Sequence, residues 1–282
     1  MKMHLRFLSI ILTVSVISFT SCKQNTITPE SLGWKLAYQS FTFKNFNFEE
    51  GLQKGSALGL KYVEPYRKQI VSANTENTTH FNADSATRGE MKRLLADYQI
   101  EMINYGVVIA SDEAEWEKIF GFAKDMGVQT LIAEPAPEHF NFIEKLCEDY
   151  KINLAIHNHP YPSGFWEPDS ILKYVTGRSQ RIGACADIGH WVRSGLDPLN
   201  CLRMLEGRII SIHFKDLNEN DRHAHDVIWG TGVCDVPALL QELKNQEFRG
   251  VFCIEYEHNW DNNVPEIATS LENFRKITAG LN

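Results

Sequence analysis

From Trp34 onward, short apolar and often β-branched runs alternate with longer stretches whose apolar positions recur at helical spacing. The short runs predict strands near 36–43, 60–64, 101–108, 128–134, 152–157, 181–187, 208–214 and 251–256. The longer stretches predict helices over Glu113–Asp125, Pro137–Tyr150, Asp197–Glu206, Val236–Asn245 and Val264–Thr278, with Asp112, Asp169 and Asp235 as N-caps. Eight β-α units over about 250 residues is the size of a (β/α)8 TIM barrel, and 31–282 is read as one such α/β domain. A doubly wound open sheet is the alternative, but no GxGxxG follows the first strand. One polar, Asn/Thr-rich stretch, Lys68 to Thr87, lacks a period. It reads as a long loop after the second strand, on the catalytic face of a barrel and in a position to act as a lid.

Four of the apolar runs close on a charged or imidazole side chain: LIAE on Glu134, GACAD on Asp187, IISIH on His213 and VFCIE on Glu255. In a parallel barrel the C-terminal strand ends surround one mouth, so residues distant in sequence can meet there on a single ion. Any one of them could instead cap a strand or form an ion pair. As a set they are oxygen-rich, which suits one divalent ion (Mn, Co, Mg or Zn) in an open site rather than closed structural zinc. Such a centre points to a metal enzyme acting on a polyol or sugar.

Composition narrows the partners. The 282 residues are 43% hydrophobic and 23% charged, enough for a full core, and a net charge of −8 without a Lys/Arg run disfavours nucleic acid. Residues 1–22 differ from the rest: Lys2 and Arg6 precede an apolar stretch from Phe7 to Phe19, the anatomy of a secretory signal. Phe19-Thr20-Ser21-Cys22 follows and resembles a bacterial lipobox, which makes Cys22 the lipidation site and 23–30 a polar tether. An ordinary cleaved signal and an uncleaved anchor helix are the alternatives. The expected location is therefore exported and lipid-anchored, on the periplasmic face of a bacterial membrane or the cell surface, with the lipid as the sole membrane contact. Cys147, Cys185, Cys201, Cys234 and Cys253 remain, odd in number and without CxxC, and read as free thiols. Homo-oligomerisation is left open.

The segments ADIGHW (186–191), SIHFKD (211–216), GTGVCD (230–235) and FRGVFCIEYE (248–257), in this order and spacing, resemble the sugar phosphate isomerase/epimerase family of xylose isomerase-like TIM barrels. The resemblance implies that Glu134, Asp187, His213 and Glu255 bind a divalent metal, the same four that the strand ends single out. It implies a reaction among isomerases, epimerases, inosose dehydratases and keto-glycoside lyases; the family's endonuclease branch uses a multi-zinc, His-richer cluster. In the epimerase branch two Glu ligands lie on opposite faces of the sugar carbon, roles that fall on Glu134 and Glu255.

The reaction expected is isomerisation or epimerisation of an unphosphorylated sugar or keto-sugar through an enediolate. A lyase or dehydratase using the same metal site is the first alternative, and a non-catalytic sugar-binding lipoprotein the second. His190 and Lys215 are further catalytic candidates, His190 from DxGH and Lys215 because it follows His213 by two and shares its strand face. Glu64, His157, His159, Trp191 and Trp229 are candidate substrate contacts, with structural ion pairs or core packing as the plainer reading of each.

Overall fold

The computed structural model describes residues 26–282. The signal segment, Cys22 and the first residues of the tether lie outside the described residues. Nine parallel strands form one sheet: β1 (Lys35–Gln39), β2 (Tyr62–Glu64), β3 (Glu101–Met102), β4 (Asn104–Val108), β5 (Thr130–Ala133), β6 (Asn153–His157), β7 (Ile182–Asp187), β8 (Ile209–Phe214) and β9 (Val251–Ile254). Their order is β3-β2-β1-β9-β8-β7-β6-β5-β4. The two end strands are halves of one stave interrupted at Ile103, whose N–H donates to Val63 O while Gly106 N–H donates to Pro65 O. The sheet thus curls into an eight-stave barrel, as the β-α alternation predicts.

Helices α1 (Phe48–Ala57), α2 (Ser85–Asp97), α3 (Glu113–Met126), α4 (Phe140–Tyr150), α5 (Pro168–Val175), α6 (Ile188–Arg193), α7 (Pro198–Met204), α8 (Val236–Asn245) and α9 (Val264–Ala279) lie between and after the strands. The carboxylates of Asp112 and Asp235 accept from Glu115 N–H and Ala238 N–H, as expected of N-caps. Asp169 does not cap α5: Glu167 holds that position, Pro168 starts the helix, and Asp169 falls in its first turn. The first strand is also shorter than predicted. It ends at Gln39, and Ser40–Phe43 wind into a 3-10 turn because Thr42 is pulled toward β9 by a hydrogen bond to Ile254 O.

Alternation fixes what faces inward. Along the inner face, Ala155 precedes His157, Cys185 precedes Asp187, and Cys253 precedes Glu255, each by two residues. The floor of the barrel is thus small and apolar while its rim is polar; Ile132, Ala155 and Cys185 form one inner cluster and Ala37, Ile103, Val251 and Cys253 another. The larger side chains point outward to pack under the helices. The five described cysteines are buried and unbridged. The chain enters β1 at the opposite end from the rim, where Trp34 Nε1 donates to Phe248 O and Lys35 N–H to Gly250 O.

Candidate metal centre

Parallel pairing brings the strand ends level. Asp187 on β7 is in register with His213 on β8, which pairs in turn with Cys253, two residues before Glu255. His213 Nδ1 lies 3.1 Å from Glu255 Oε2 and 3.8 Å from Asp187 Oδ2, so three members of the predicted quartet converge. The opposite ring nitrogen, Nε2, is 2.9 Å from Glu64 Oε1. Glu64, fully buried and bonded also by Asn104 Nδ2, sits beneath the rim and orients His213.

Glu134, the fourth member, stands to one side. Its carboxylate pairs with His159 Nδ1 and lies 3.6 Å from His157 Nδ1. His157 bridges the two halves, with Nε2 3.2 Å from His213 Nδ1 and 3.5 Å from Asp187 Oδ2. His157, Asp187, His190 and Glu255 each offer a ligand atom within 4.8 Å of one another. The two histidines of LAIHNHP thus share the rim face, while Asn158 between them turns away and clamps Asp187 by its backbone, donating to Asp187 O and accepting from Asp187 N–H.

Lys215 is the central cation. It is fully buried, and its ammonium donates to Asp187 Oδ2 at 2.8 Å, Glu255 Oε2 at 2.7 Å and Glu257 at 3.3 Å. Burial disfavours its charge, but Asp187, Glu255 and Glu257 outweigh burial and hold its pKa well above the ordinary lysine value. For Glu255, burial is likewise overcome by Lys215 and His213, which keep the carboxyl well below its usual range; Asp187 is held down against burial by His190, Lys215 and His157. Burial also opposes the charge on Glu134, yet the neighbouring imidazoles of His157 and His159 bring it down to about 2. His190 runs the other way: burial pushes it well below the ordinary imidazole value.

The donor set fits a divalent cation. Asp187 and Glu255 share the Lys215 ammonium, and the imidazoles of His157, His190 and His213 stand beside them, so carboxylate oxygens and ring nitrogens converge on one part of the rim. His157 Nδ1 is buried without a hydrogen-bond partner, as a free donor for a ligand would be. A cation entering between Asp187 and Glu255 would share their oxygens with the Lys215 ammonium.

Several contributors escaped sequence reasoning. Arg193 bonds Glu257 at 2.9 Å and Asp226 at 3.1 Å, and its guanidinium reaches His190 Nδ1 at 3.3 Å. Asp226 is fully buried with Oδ1 unpartnered, and burial, only partly offset by Lys215 and Arg193, raises its pKa to about 7 from 3.8. Unfolded, this carboxyl ionises near pH 3.8; folded, it keeps its proton to near 7, so stability falls as pH rises between those values. Asp226→Asn is expected to flatten that decline, with a gain on the order of 4 kcal/mol at pH 8 relative to pH 4. Urea midpoints of wild type and variant across this range check it, and parallel pH profiles would refute it.

Trp191 and Trp229 correct a prediction. Neither faces the mouth: both are buried in the hydrophobic core. Helix α6 starts directly after β7, so no loop exists to carry Trp191 outward, while Trp229 packs on Phe214 and Phe274. The GTG turn before α8 is built by Asp216, whose carboxylate accepts from Gly230, Gly232 and Cys234 N–H. A Cβ on Gly232 would come within 2.2 Å of Leu217 O, which explains the glycine. Over the centre lies a cleft of about 390 Å³, lined by Phe41, Tyr66, Arg67, His159, His190 and Glu255 among others. The predicted loop contributes only its first residue, Lys68, to this cleft; beyond it the chain folds down onto α1, Phe48 N–H donating to Ile70 O, so most of it is no lid.

A putative uncharacterized protein of Parabacteroides distasonis has a solved structure 35% identical in sequence, with a TM-score of 0.72, covering 86% of this chain and 99% of that one. A D-tagatose 3-epimerase-like protein shares the fold at 19% identity and TM-score 0.68, over 86% and 96% of the two chains. Structures of the same fold at 16% and 13% identity hold a zinc atom or magnesium. The rhizopine catabolism protein MocC of Rhizobium meliloti is 30% identical over 134 residues, 41% of this chain and 40% of its own, so the match spans about two fifths of that relative. The xylose isomerase-like TIM barrel model matches residues 52–277, nearly the whole described barrel with every strand-end residue from Glu64 to Glu255, and the chain belongs to that family.

Proposed function

We propose that the protein is a divalent-metal-dependent isomerase or epimerase of an unphosphorylated sugar or keto-sugar. One observation carries the reading: Glu134 follows the fourth stave and Glu255 the eighth, so two ionised carboxylates face each other across the mouth. Glu134, Asp187, His213 and Glu255 would hold the cation, whose Lewis acidity polarises a carbonyl and acidifies the neighbouring C–H. Glu255, steadied by Lys215 and His213, and Glu134, steadied by His159, then stand on opposite sides of that carbon. One takes the proton to give an enediolate, and the other, once it has taken up a proton from solvent, delivers that proton to the opposite face, inverting or shifting the centre. His190, at the cleft wall, offers a ring N–H to a substrate oxygen, while Lys215, whose ammonium donates to Asp187, Glu255 and Glu257, holds those carboxylates in place.

A second reading rests on the inequality of the two carboxylates. Glu255 is bonded by the buried Lys215, whereas Glu134 is paired with the exposed His159. An enzyme that removes one proton and hands another to a departing group, a lyase or dehydratase, has use for that difference. Incubation with keto-sugars in D2O separates the two: deuterium at the α-carbon without elimination supports isomerisation, an unsaturated product supports the lyase, and neither in the presence of Mn, Co, Mg or Zn refutes both.

Metal titration of Asp187→Ala and His213→Ala is expected to show at least about tenfold weaker binding, the scale seen even for outer groups of metal sites. Undiminished affinity in both variants would remove these residues from the ligand set. We further propose that Cys22 carries the lipid that holds the enzyme on the outer side of a membrane. Cys22→Ser is expected to abolish acyl labelling and release the protein; unlabelled wild-type protein in the cytoplasm would contradict this. Among the described residues no helix is long and apolar enough to cross a membrane.

A further inference from the structure

The aromatic side chains at the mouth are not those that follow the middle strands. Phe41, in the turn after β1, and Tyr66, after β2, line the cleft over Glu255 and His190, and both are only partly buried. Their rings meet edge to face at 5.3 Å, and Trp260 backs Phe41 at 5.4 Å with the Lys44 ammonium over its outer face. Neither ring is needed by the core, yet both backbones are clamped. Phe41 N–H donates to the buried Gln39 side chain, and its neighbour Thr42 is tied to Ile254 O, Tyr256 N–H and Asn263 Nδ2. Tyr66 N–H donates to Ser40 Oγ, and Tyr66 O accepts from Thr79 Oγ1. Arg67 and Lys68 adjoin this wall and form no ion pair among the described residues.

We infer that this wall is an outer subsite for a second ring attached to the reacting sugar, so that the substrate is a glycoside rather than a free monosaccharide. The inference rests on the sugar reading of the inner centre. Rigid, partly exposed aromatic faces match the apolar C–H face of a pyranose, and Arg67 and Lys68 supply donors to its hydroxyls. Room is available: the cleft, about 390 Å³, falls within the range that encloses drug-sized ligands and exceeds what one sugar ring occupies. The wall is continuous with the reaction centre, since one cleft is lined by Phe41 and Tyr66 on one side and Glu255, Glu257 and His190 on the other.

Calorimetric titration of the full-length metal-loaded protein with glucose, and with disaccharides of differing linkage, tests this without requiring turnover. Wild type is expected to bind at least one disaccharide about tenfold tighter than glucose, the effect of a favourable ring contact. In Phe41→Ala/Tyr66→Ala that ratio is expected to fall to about one, while Tyr66→Phe, which keeps the ring, retains most of it. Equal affinity of wild type for glucose and every disaccharide overturns the outer subsite alone. A preference that survives the double variant also overturns it. Binding of no sugar at all overturns it together with the sugar reading of the inner centre.

Discussion

Glu134→Gln and Glu255→Gln are each expected to lower turnover at least about 10²-fold, the usual scale of a lost general base, while the barrel stays folded. The amide keeps the volume and one oxygen ligand but cannot accept a proton, so the loss isolates proton transfer from ligation. The two variants need not fall equally. Glu255 is gripped by Lys215 and His213 and almost wholly buried, so Gln there also bares part of the Lys215 charge; Glu134 has only imidazole partners and a partly exposed side chain. An epimerase working from both faces of a carbon loses activity in either variant. An enzyme that removes one proton by a single carboxylate loses far more in one. Near-normal turnover in both, with metal retained, would reduce the carboxylates to ligands and refute the proposed chemistry.

Lys215→Met is expected to be the most destabilising single change in the centre when metal is stripped. Removing one partner of a buried charge cluster leaves the others unpaired, at about 3–5 kcal/mol. Here Asp187 and Glu255 both lose their nearest cation, inside a rim where side-chain exposure of Asp187 is 0% and of Glu255 8%. In a domain of this size such a loss lowers the melting temperature by roughly ten degrees. Added Mn, Co, Mg or Zn should recover part of it, because a divalent cation between the same oxygens replaces the missing charge. Calorimetric scans in chelator and in excess metal make the comparison. Unchanged melting in chelator would mean that the cluster has other compensation than Lys215.

Much of this arrangement is legible in the sequence because it is local. A strand end is marked by an apolar run that stops, and two-residue alternation says which side chains share the inner face; Asp187, His213, Glu255, His157 and Lys215 all obey that rule. Gly230 and Gly232 likewise announce a turn before α8. The misread residues depend on contacts between distant segments. Glu257, Arg193 and Asp226 resemble solvated surface charges along the chain, and only the approach of the end of α6 and two separate loops joins them as a network. Trp191 looks like a loop residue because no spacer signals that α6 begins at Ile188, directly on β7. Phe41 reads as strand core, since the bend that turns it into the cleft is imposed by Thr42 bonding to β9, more than two hundred positions away.

The entry of the chain at the foot of β1 gives the anchoring proposal a direction. All strands run the same way, so the foot and the mouth are opposite poles, and residues 26–34 emerge at the foot beside Phe248 and Gly250. A lipid on Cys22 would hold the barrel by that pole on a short leash, since the chain from Ile27 to Trp34 is already folded against it and the stretch from Cys22 to Ile27 spans at most about 18 Å. The cleft with Phe41 and Tyr66 would then open away from the bilayer, toward whatever glycans arrive from the surroundings rather than toward the headgroups beneath.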